Sequence, residues 1–188
     1  MWCNPSLEQV HLTNILSWGK SPYLQNVAFP NVKIFHASSA ARCTNLWSTK
    51  TFSAKLEEVQ LTDNIDVEDV MTLVENTPGL KFLILRNIKI CDTVLRHLAM
   101  SLQNLEQIEI TGNSVVTDIG LSNMGRNLPA LIGVRLHDCK LLTDLSIAYI
   151  GEHCGHQLQK LSTEIRGDNV SSLQSIAGKF AALTYLDV

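Results

Sequence analysis

Apolar side chains recur along this chain in a six-residue pattern whose first, fourth and sixth positions are aliphatic. The pattern is clearest at residues 56–61, 80–85, 105–110 and 131–136, and it continues at residues 158–163 and 183–188. Residues 7–12 also fit it well, whereas residues 32–37 fit it poorly but in register. The first positions of these eight segments lie 24 to 27 residues apart. A single match would mean little, but eight matches in register indicate an internal structural repeat.

Each repeat predicts one short strand followed by a helix. Within the six-residue segments apolar and polar side chains alternate, which is typical of a strand. Between the strands the apolar residues take helical spacing, at Val67, Val70, Met71 and Val74 and later at Ile147, Ile150 and Cys154. A strand and helix of this combined length bring the next strand back in parallel. Because one unit cannot bury its apolar side chains alone, the repeats predict a solenoid.

Residues that begin and end helices occur at matching places in several repeats. Thr117 and Thr143 each precede an aspartate, so a hydroxyl can cap the helix and an acid lies at the positive end of its dipole. Pro78 and Pro129 each lie two residues before the first leucine of a strand, where proline ends the preceding helix.

The third residue after the strand segment is Asn64, Asn113 or Cys139 in three of the repeats. An asparagine side chain there can satisfy backbone groups at the turn that leaves the strand, and a thiol can partly replace it. We therefore expect these three residues to share one structural position.

The segment from Leu131 to Cys154 resembles the cysteine-containing subtype of leucine-rich repeat. It has a strand, then Cys139, a Thr143-Asp144 helix start and a second cysteine, Cys154, at the helix end. Residues 110–121 are similar, with asparagine in place of the first cysteine. The resemblance implies an α/β leucine-rich-repeat solenoid shaped as a horseshoe arc, with a parallel β-sheet on the concave face and helices on the convex face.

This repeat subtype is common in F-box/leucine-rich-repeat proteins, the substrate receptors of cullin-type ubiquitin ligases, and in related mitotic-exit regulators. The resemblance implies a non-enzymatic module for protein–protein interaction that resembles the substrate-recognition repeats of such a receptor. We expect no F-box within residues 1–188, because the first repeat begins at Leu7. We expect residues 1–188 to form a single domain of about seven to eight repeats that lacks terminal caps, as in a fragment of a longer protein.

Composition narrows the class of protein and its compartment. The 188 residues carry a net charge of −3 and are 45% apolar, which excludes a disordered chain and provides no basic surface for nucleic acid or an anionic membrane. The first residues do not form a signal peptide, and no apolar run is long enough for a membrane span. An odd number of cysteines, five, favours free thiols in the cytoplasm or nucleus.

Sequence motifs for catalysis or cofactor binding are absent. The chain has no glycine-rich phosphate loop, nucleophile elbow or paired Cys-x-x-Cys motif. His153, Cys154 and His156, together with Cys139, are the nearest to a metal cluster, but their spacing is irregular for zinc. Burial is the favoured interpretation of Cys91 and Cys139. We therefore expect no enzyme activity, cofactor, metal or small-molecule substrate.

The second, fourth and sixth residues after the first leucine of each repeat are predicted to face the concave side of the sheet. The charges in these columns are mixed, which again argues against nucleic acid. Aromatic and arginine side chains are the usual anchors of protein interfaces. The predicted protein-binding residues on this face are Phe82, Ile84, Arg86, Glu109, Arg135 and His137.

Two alternatives remain open at this point. Phe82 and Ile84 can instead pack beneath a flanking segment or loop and contribute nothing to binding. The solenoid can also be a structural scaffold in a large assembly, such as an axonemal or mitochondrial complex, with contacts on its convex side as well.

Overall fold

The strands of the repeats form one parallel sheet in the computed structural model, which describes residues 2–13, 27–38, 52, 54–164 and 177–187. The strands are β1 (Trp2–Cys3), β2 (Gln9–Thr13), β3 (Val27–Ala28), β4 (Ile34–Ser38), β5 (Glu58–Thr62), β6 (Phe82–Arg86), β7 (Gln107–Thr111), β8 (Gly133–His137), β9 (Lys160–Thr163) and β10 (Tyr185–Asp187). Eight of them lie in the order β10-β9-β8-β7-β6-β5-β4-β2, and β1 pairs with β3 in a separate two-stranded sheet.

Four helices alternate with the central strands. They are α1 (Val67–Asn76), α2 (Asp92–Ser101), α3 (Asp118–Asn127) and α4 (Asp144–Cys154), and a short 3-10 turn covers Ala177–Lys179. The predicted helix starts are confirmed, because Thr117 and Thr143 are the N-caps of α3 and α4 and their hydroxyls accept backbone N–H groups. The proline stops are confirmed as well, since α1 and α3 each end two residues before a proline.

The register of the sheet is the one that the repeat predicts. Every interstrand pair is parallel and unshifted, so that Gln107 lies opposite Phe82 on one side and Gly133 on the other. The third and fifth residues after each first leucine point into the core between sheet and helices, as Leu83 and Leu85 do on β6. Adjacent helices pack on one another from α1 through α4. The apolar core is therefore one continuous layer along the solenoid.

The alternation of buried and exposed side chains is lost at the edge strand β10. Leu186 occupies an inward position on this edge strand, but it is 50% exposed. On β9 the corresponding inward positions hold Leu161 and Thr163, both buried. Thr163 thus places a hydroxyl in a position that is aliphatic in most other repeats.

Each of four strands ends in a residue with left-handed backbone geometry. Asp63, Asn87, Gly112 and Asp138 follow β5, β6, β7 and β8 directly, with φ between 47° and 69°. Glycine, asparagine and aspartate tolerate this conformation better than other residues do. The chain therefore leaves each of these four strands through a left-handed residue and enters the loop before the next helix.

The predicted asparagine or cysteine position is confirmed for two of its three residues. Asn113 and Cys139 are buried in equivalent turns. The prediction for Asn64 is wrong, since Asn64 is exposed with φ 45° and Ile65 is buried beside it. Three residues separate β5 from the N-cap of α1, against five after β7 and β8, so the shorter turn cannot carry Asn64 inward.

Candidate functional site

The candidate site is the face of the eight-stranded sheet that the helices do not cover, here called the open face. It is formed by the second, fourth and sixth residues after the first leucine of each repeat, whose side chains alternate with the buried ones. Because the strands pair without a shift, these residues form three rows that cross all the strands. The predicted columns of the open face are therefore confirmed.

A groove of about 550 Å³ runs across the open face from β5 to β10. Its polar and apolar walls come from Glu58, Phe82, Ile84, Gln107, Glu109, Gly133, Arg135, Lys160, Ser162 and Tyr185. Gly133 contributes no side chain, and Gln107 lies over it so closely that an added Cβ would be 3.0 Å from the Gln107 Cγ. A side chain at position 133 would therefore fill part of the groove, and glycine leaves this space open.

The structure brings four of the six predicted site residues together. Phe82, Ile84, Glu109 and Arg135 line the groove, and Phe82 and Ile84 are half-buried. Arg86 and His137 lie in the sixth-position row and do not line it. Arg86 is linked to the groove through Glu109, and His137 is linked to it through Ser162.

Glu109 lies between the two predicted arginines. Its Oε1 accepts a hydrogen bond from Arg86 Nε at 2.7 Å, and its Oε2 is 3.6 Å from Arg135 Nη1. The Glu109 side chain is 14% exposed, whereas that of Arg135 is 52% exposed. One carboxylate therefore faces two guanidinium groups, holding Arg86 tightly and Arg135 loosely, and one positive charge is left without compensation.

A second network joins β8, β9 and β10. Ser162 Oγ donates to Asp187 Oδ2 at 3.0 Å, and His137 Nε2 is 2.7 Å from the same Oγ. Because Ser162 has one proton and an ionised Asp187 can only accept, Nε2 of His137 must donate. Nδ1 of His137 is 3.8 Å from Glu164 Oε2.

This order of groups differs from that of a hydrolytic triad. In such a triad the histidine lies between the acid and the serine and removes the hydroxyl proton. Here the buried Ser162 lies between the histidine and the acid, and its hydroxyl donates a hydrogen bond to Asp187. The network therefore ties the ends of three strands together and holds His137 in place.

Several groove residues were missed by the sequence analysis. Gln107, Gly133, Lys160 and Tyr185 stand in the second-position column, which had been identified, but they were not selected. The selection favoured apolar and arginine side chains on β6 and β8. The residue types do not reveal that side chains from these strands line one groove that continues to β10, and the structure shows it.

The cysteines in the described part of the chain have different environments. Cys139 and Cys154 are buried, and burial raises the pKa of their thiols from 9.0 to about 11 and about 12. Cys91 is partly exposed, contrary to the expectation of burial, because it is the N-cap of α2. A hydrogen bond with the Thr93 hydroxyl, at 3.0 Å, and one with the Val94 backbone lower the pKa of the Cys91 thiol. Cys43 lies outside the described residues.

His153 and Cys154 each make a contact that a metal site would not use. Arg126 Nε donates to His153 Nε2 at 3.0 Å, and Cys154 Sγ donates to the Ile150 carbonyl. Across residues 2–13, 27–38, 52, 54–164 and 177–187, no three His, Cys, Asp or Glu side chains are grouped as metal ligands would be. Among the helices in these same ranges, none combines the length and hydropathy required to cross a bilayer.

Similarity to known proteins establishes the fold of this chain, but no particular family or function. No protein-family model matches the sequence, and no curated protein matches it. Among solved structures, the chain is similar to the tropomodulin C-terminal domain of Caenorhabditis elegans, with a TM-score of 0.56 and 15% sequence identity over 74% of this chain and 90% of that one. Together with the parallel strands, the alternating helices and the regular repeat, this similarity shows that the chain folds as an α/β leucine-rich-repeat solenoid.

Proposed function

We propose that this protein is a non-enzymatic interaction module that binds a partner protein on the open face. The groove supports this proposal most directly, because it combines half-buried apolar side chains with an arginine that is only loosely held. Interfaces favour this combination, since aromatic and arginine side chains supply most of the binding energy. A sheet of eight strands at about 4.8 Å spacing is roughly 35 Å across, wide enough for an interface of ordinary size.

We further propose that the partner is a substrate protein, as in the receptors of ubiquitin ligases. The support is the likeness of residues 131–154 to the cysteine-containing repeat. The buried, equivalent turns at Asn113 and Cys139 agree with that repeat type. The free, buried thiols of Cys139 and Cys154 suit a reducing compartment, so the proposed location is the cytoplasm or nucleus.

A second candidate function is a scaffold subunit, and one observation favours it. Large aliphatic side chains are exposed at the helix starts of two adjacent repeats, where Ile119 is 67% and Leu145 is 56% exposed. Leu141 is exposed in the loop before α4. Exposed aliphatic side chains grouped in this way are typical of contact surfaces, and they lie away from the open face.

Two matched double variants of the full chain separate the functions. We expect Phe82→Ala with Arg135→Glu to abolish co-purification of the partner, while Ile119→Ser with Leu145→Ser leaves it intact. Thermal unfolding of both variants controls for folding. If the first variant retains every partner and the second loses them, the open-face proposal is wrong and the scaffold is favoured.

The identity of the co-purified proteins tests the finer proposal. A ligase receptor in its full-length form brings an adaptor and a cullin, whereas a scaffold brings stoichiometric subunits of one assembly. Recovery of assembly subunits alone would contradict the receptor role and leave the binding surface unaffected.

A further inference from the structure

We propose that the segment bound in the groove carries a carboxylate a few residues from an apolar side chain. This inference rests on the proposed function, since it names the chemistry of the partner at that same site. It follows from two cationic side chains that have no hydrogen-bond acceptor among the described residues and from the apolar side chains that line the same groove.

Arg135 and Lys160 are the two cations. Among the described residues Arg135 has one ion-pair contact, to Glu109; it spans 3.6 Å, which is too long for a hydrogen bond. Lys160 is exposed, and its Nζ has no hydrogen bond or ion pair with any of the described residues. Both side chains line the groove. Their donors are therefore available to a ligand.

The register places these two cations close to one another. Gly133, two residues before Arg135, is paired with Lys160 on the next strand. Diagonal neighbours of this kind have Cα atoms about 8 Å apart. Long side chains at that separation can converge on one carboxylate, and an anion between them relieves the repulsion of two like charges.

Arg86 does not compete for the anion in the same way. Its Nε donates to Glu109 at 2.7 Å, so the carboxylate compensates its charge. Glu58, at the other end of the groove, is 2.9 Å from His36 Nε2. The two cations that lack a hydrogen-bonded carboxylate, Arg135 and Lys160, therefore lie on the β8 and β9 side of the groove, beside Gly133.

The apolar part of the ligand is expected at Phe82 and Ile84 on β6. From β6 to the point midway between β8 and β9 is two and a half strand spacings, or about 12 Å. An extended peptide that crosses the strands covers this distance in roughly three to four residues. The proposed ligand therefore has an acidic residue about three or four positions from an apolar one.

The carboxylates of the groove make a polyanion an unfavourable ligand. The carboxylates of Glu58 and Glu109 line the groove, and that of Asp187 lies at its β10 end. A nucleic acid would bring a phosphate to each of them, whereas a peptide can place one carboxylate between the cations and none elsewhere.

The test is selection of peptides by the full chain from a phage library of random short peptides. We expect enrichment of Asp or Glu at the stated spacing from Leu, Ile, Phe or Trp, with binding that weakens as salt rises. Selected peptides, made synthetically, should bind the double variant R135E/K160E about tenfold or more weakly, which corresponds to about 1.4 kcal/mol or more. The matched control is K140E, which reverses an exposed lysine in the turn after β8 and should change nothing.

The outcomes separate this inference from the proposed function. Suppose that F82D weakens binding of the selected peptides, but that the peptides lack acidic residues and bind R135E/K160E as tightly as the parent chain. The carboxylate inference is then wrong, whereas the proposal that the open face binds a partner is retained. If the peptides bind F82D as well as the parent chain, both fail. A selection that enriches no peptide, or an oligothymidine that displaces the peptides, also overturns the inference.

Discussion

Two polar systems run across the same repeats, and they are built in opposite ways. At the helix starts, Asp92 accepts from the backbone N–H and the hydroxyl of Thr117 at 2.8 and 2.6 Å, and Asp118 accepts from Thr143 at 2.9 and 2.7 Å. On the open face, Arg135 lies 3.6 Å from its carboxylate and is half exposed. We call the first system the helix-start seam and define it by Asp92, Thr117, Asp118 and Thr143 together with the buried Asn113.

The difference teaches which polar residues maintain the fold. In the seam each bond spans 25 residues and recurs 26 residues later, in the next repeat, and it satisfies backbone groups that the helix leaves open. The open-face bonds join side chains to side chains and do not recur. We therefore expect substitutions in the seam to lower stability and those on the open face to change binding.

The largest expected effect is that of Asn113→Ala. The Asn113 amide donates to the carbonyls of Ile88 and Ile90 and accepts from the N–H groups of Val115 and Val116, all within 3.0 Å. Its removal leaves buried backbone groups without partners, so the free energy of unfolding should fall by about 3 kcal/mol. Urea unfolding followed by circular dichroism measures it.

Cys139→Ala is the matched control for this change, since Cys139 occupies the equivalent turn. Its Sγ makes two contacts of 3.5 Å to the carbonyls of Ile110 and His137. We expect a loss of about 1 kcal/mol, because a thiol is a weak donor. Equal losses for the two variants would contradict the role assigned to the asparagine.

The next effect in size is that of Asp118→Ala. Asp118 accepts from the Thr143 N–H and hydroxyl and from the Ser146 hydroxyl, so its loss removes bonds between two repeats. We expect the free energy of unfolding to fall by about 2 kcal/mol.

Glu68→Ala provides the comparison, because Glu68 is an exposed acid in the first turn of α1. Both changes remove a negative charge near the positive end of a helix dipole. We expect Glu68→Ala to cost about 0.5 kcal/mol. A cost for Asp118→Ala no larger than that of Glu68→Ala would mean that the dipole, and not the seam, explains it.

Alkaline pH tests the two buried thiols, Cys139 in the turn after β8 and Cys154 at the end of α4. The pKa of Cys139 is raised to about 11 and that of Cys154 to about 12, so the folded state disfavours both thiolates. Their stabilising contribution is complete below pH 9 and is lost as pH rises towards 11 and 12. We expect the free energy of unfolding to fall by about 2 kcal/mol between pH 9 and pH 10, or about 1 kcal/mol for each thiol.

The double variant Cys139→Ala with Cys154→Ala is the control, and its stability should depend less on pH over the same range. Alkylation by iodoacetamide at pH 8 adds a second readout on a chain with Cys3 and Cys43 replaced by serine. Cys91, whose pKa is lowered and whose thiol is partly exposed, should react first. Faster alkylation of Cys139 would show that its turn opens.

The smallest stability effect is expected on the open face. Arg135→Glu removes a long ion pair of a half-exposed side chain, so it should change the free energy of unfolding by less than about 0.5 kcal/mol. Affinity for the partner should nevertheless fall. A loss of stability as large as that of Asp118→Ala would erase the distinction between seam and open face.

The repeat spacing predicted much of the fold because its physical basis is local. A strand needs alternating side chains, a helix needs its own period and caps, and both are visible in neighbouring residues. The eight strands, their parallel register and the caps at Thr117 and Thr143 were therefore predicted correctly. The error at Asn64 arose because the lengths of the turns differ, which the spacing of the leucines does not reveal.

By itself, the sequence determined which residues point into the core and which stand on the open face, since a residue's place in a repeat sets its direction. Only the tertiary structure decided how the open-face side chains interact. Glu109 neutralises Arg86 more than Arg135, and Lys160 lies diagonally beside Arg135. These contacts join residues more than 20 positions apart, and their distances depend on rotamers and strand packing that no repeat pattern encodes.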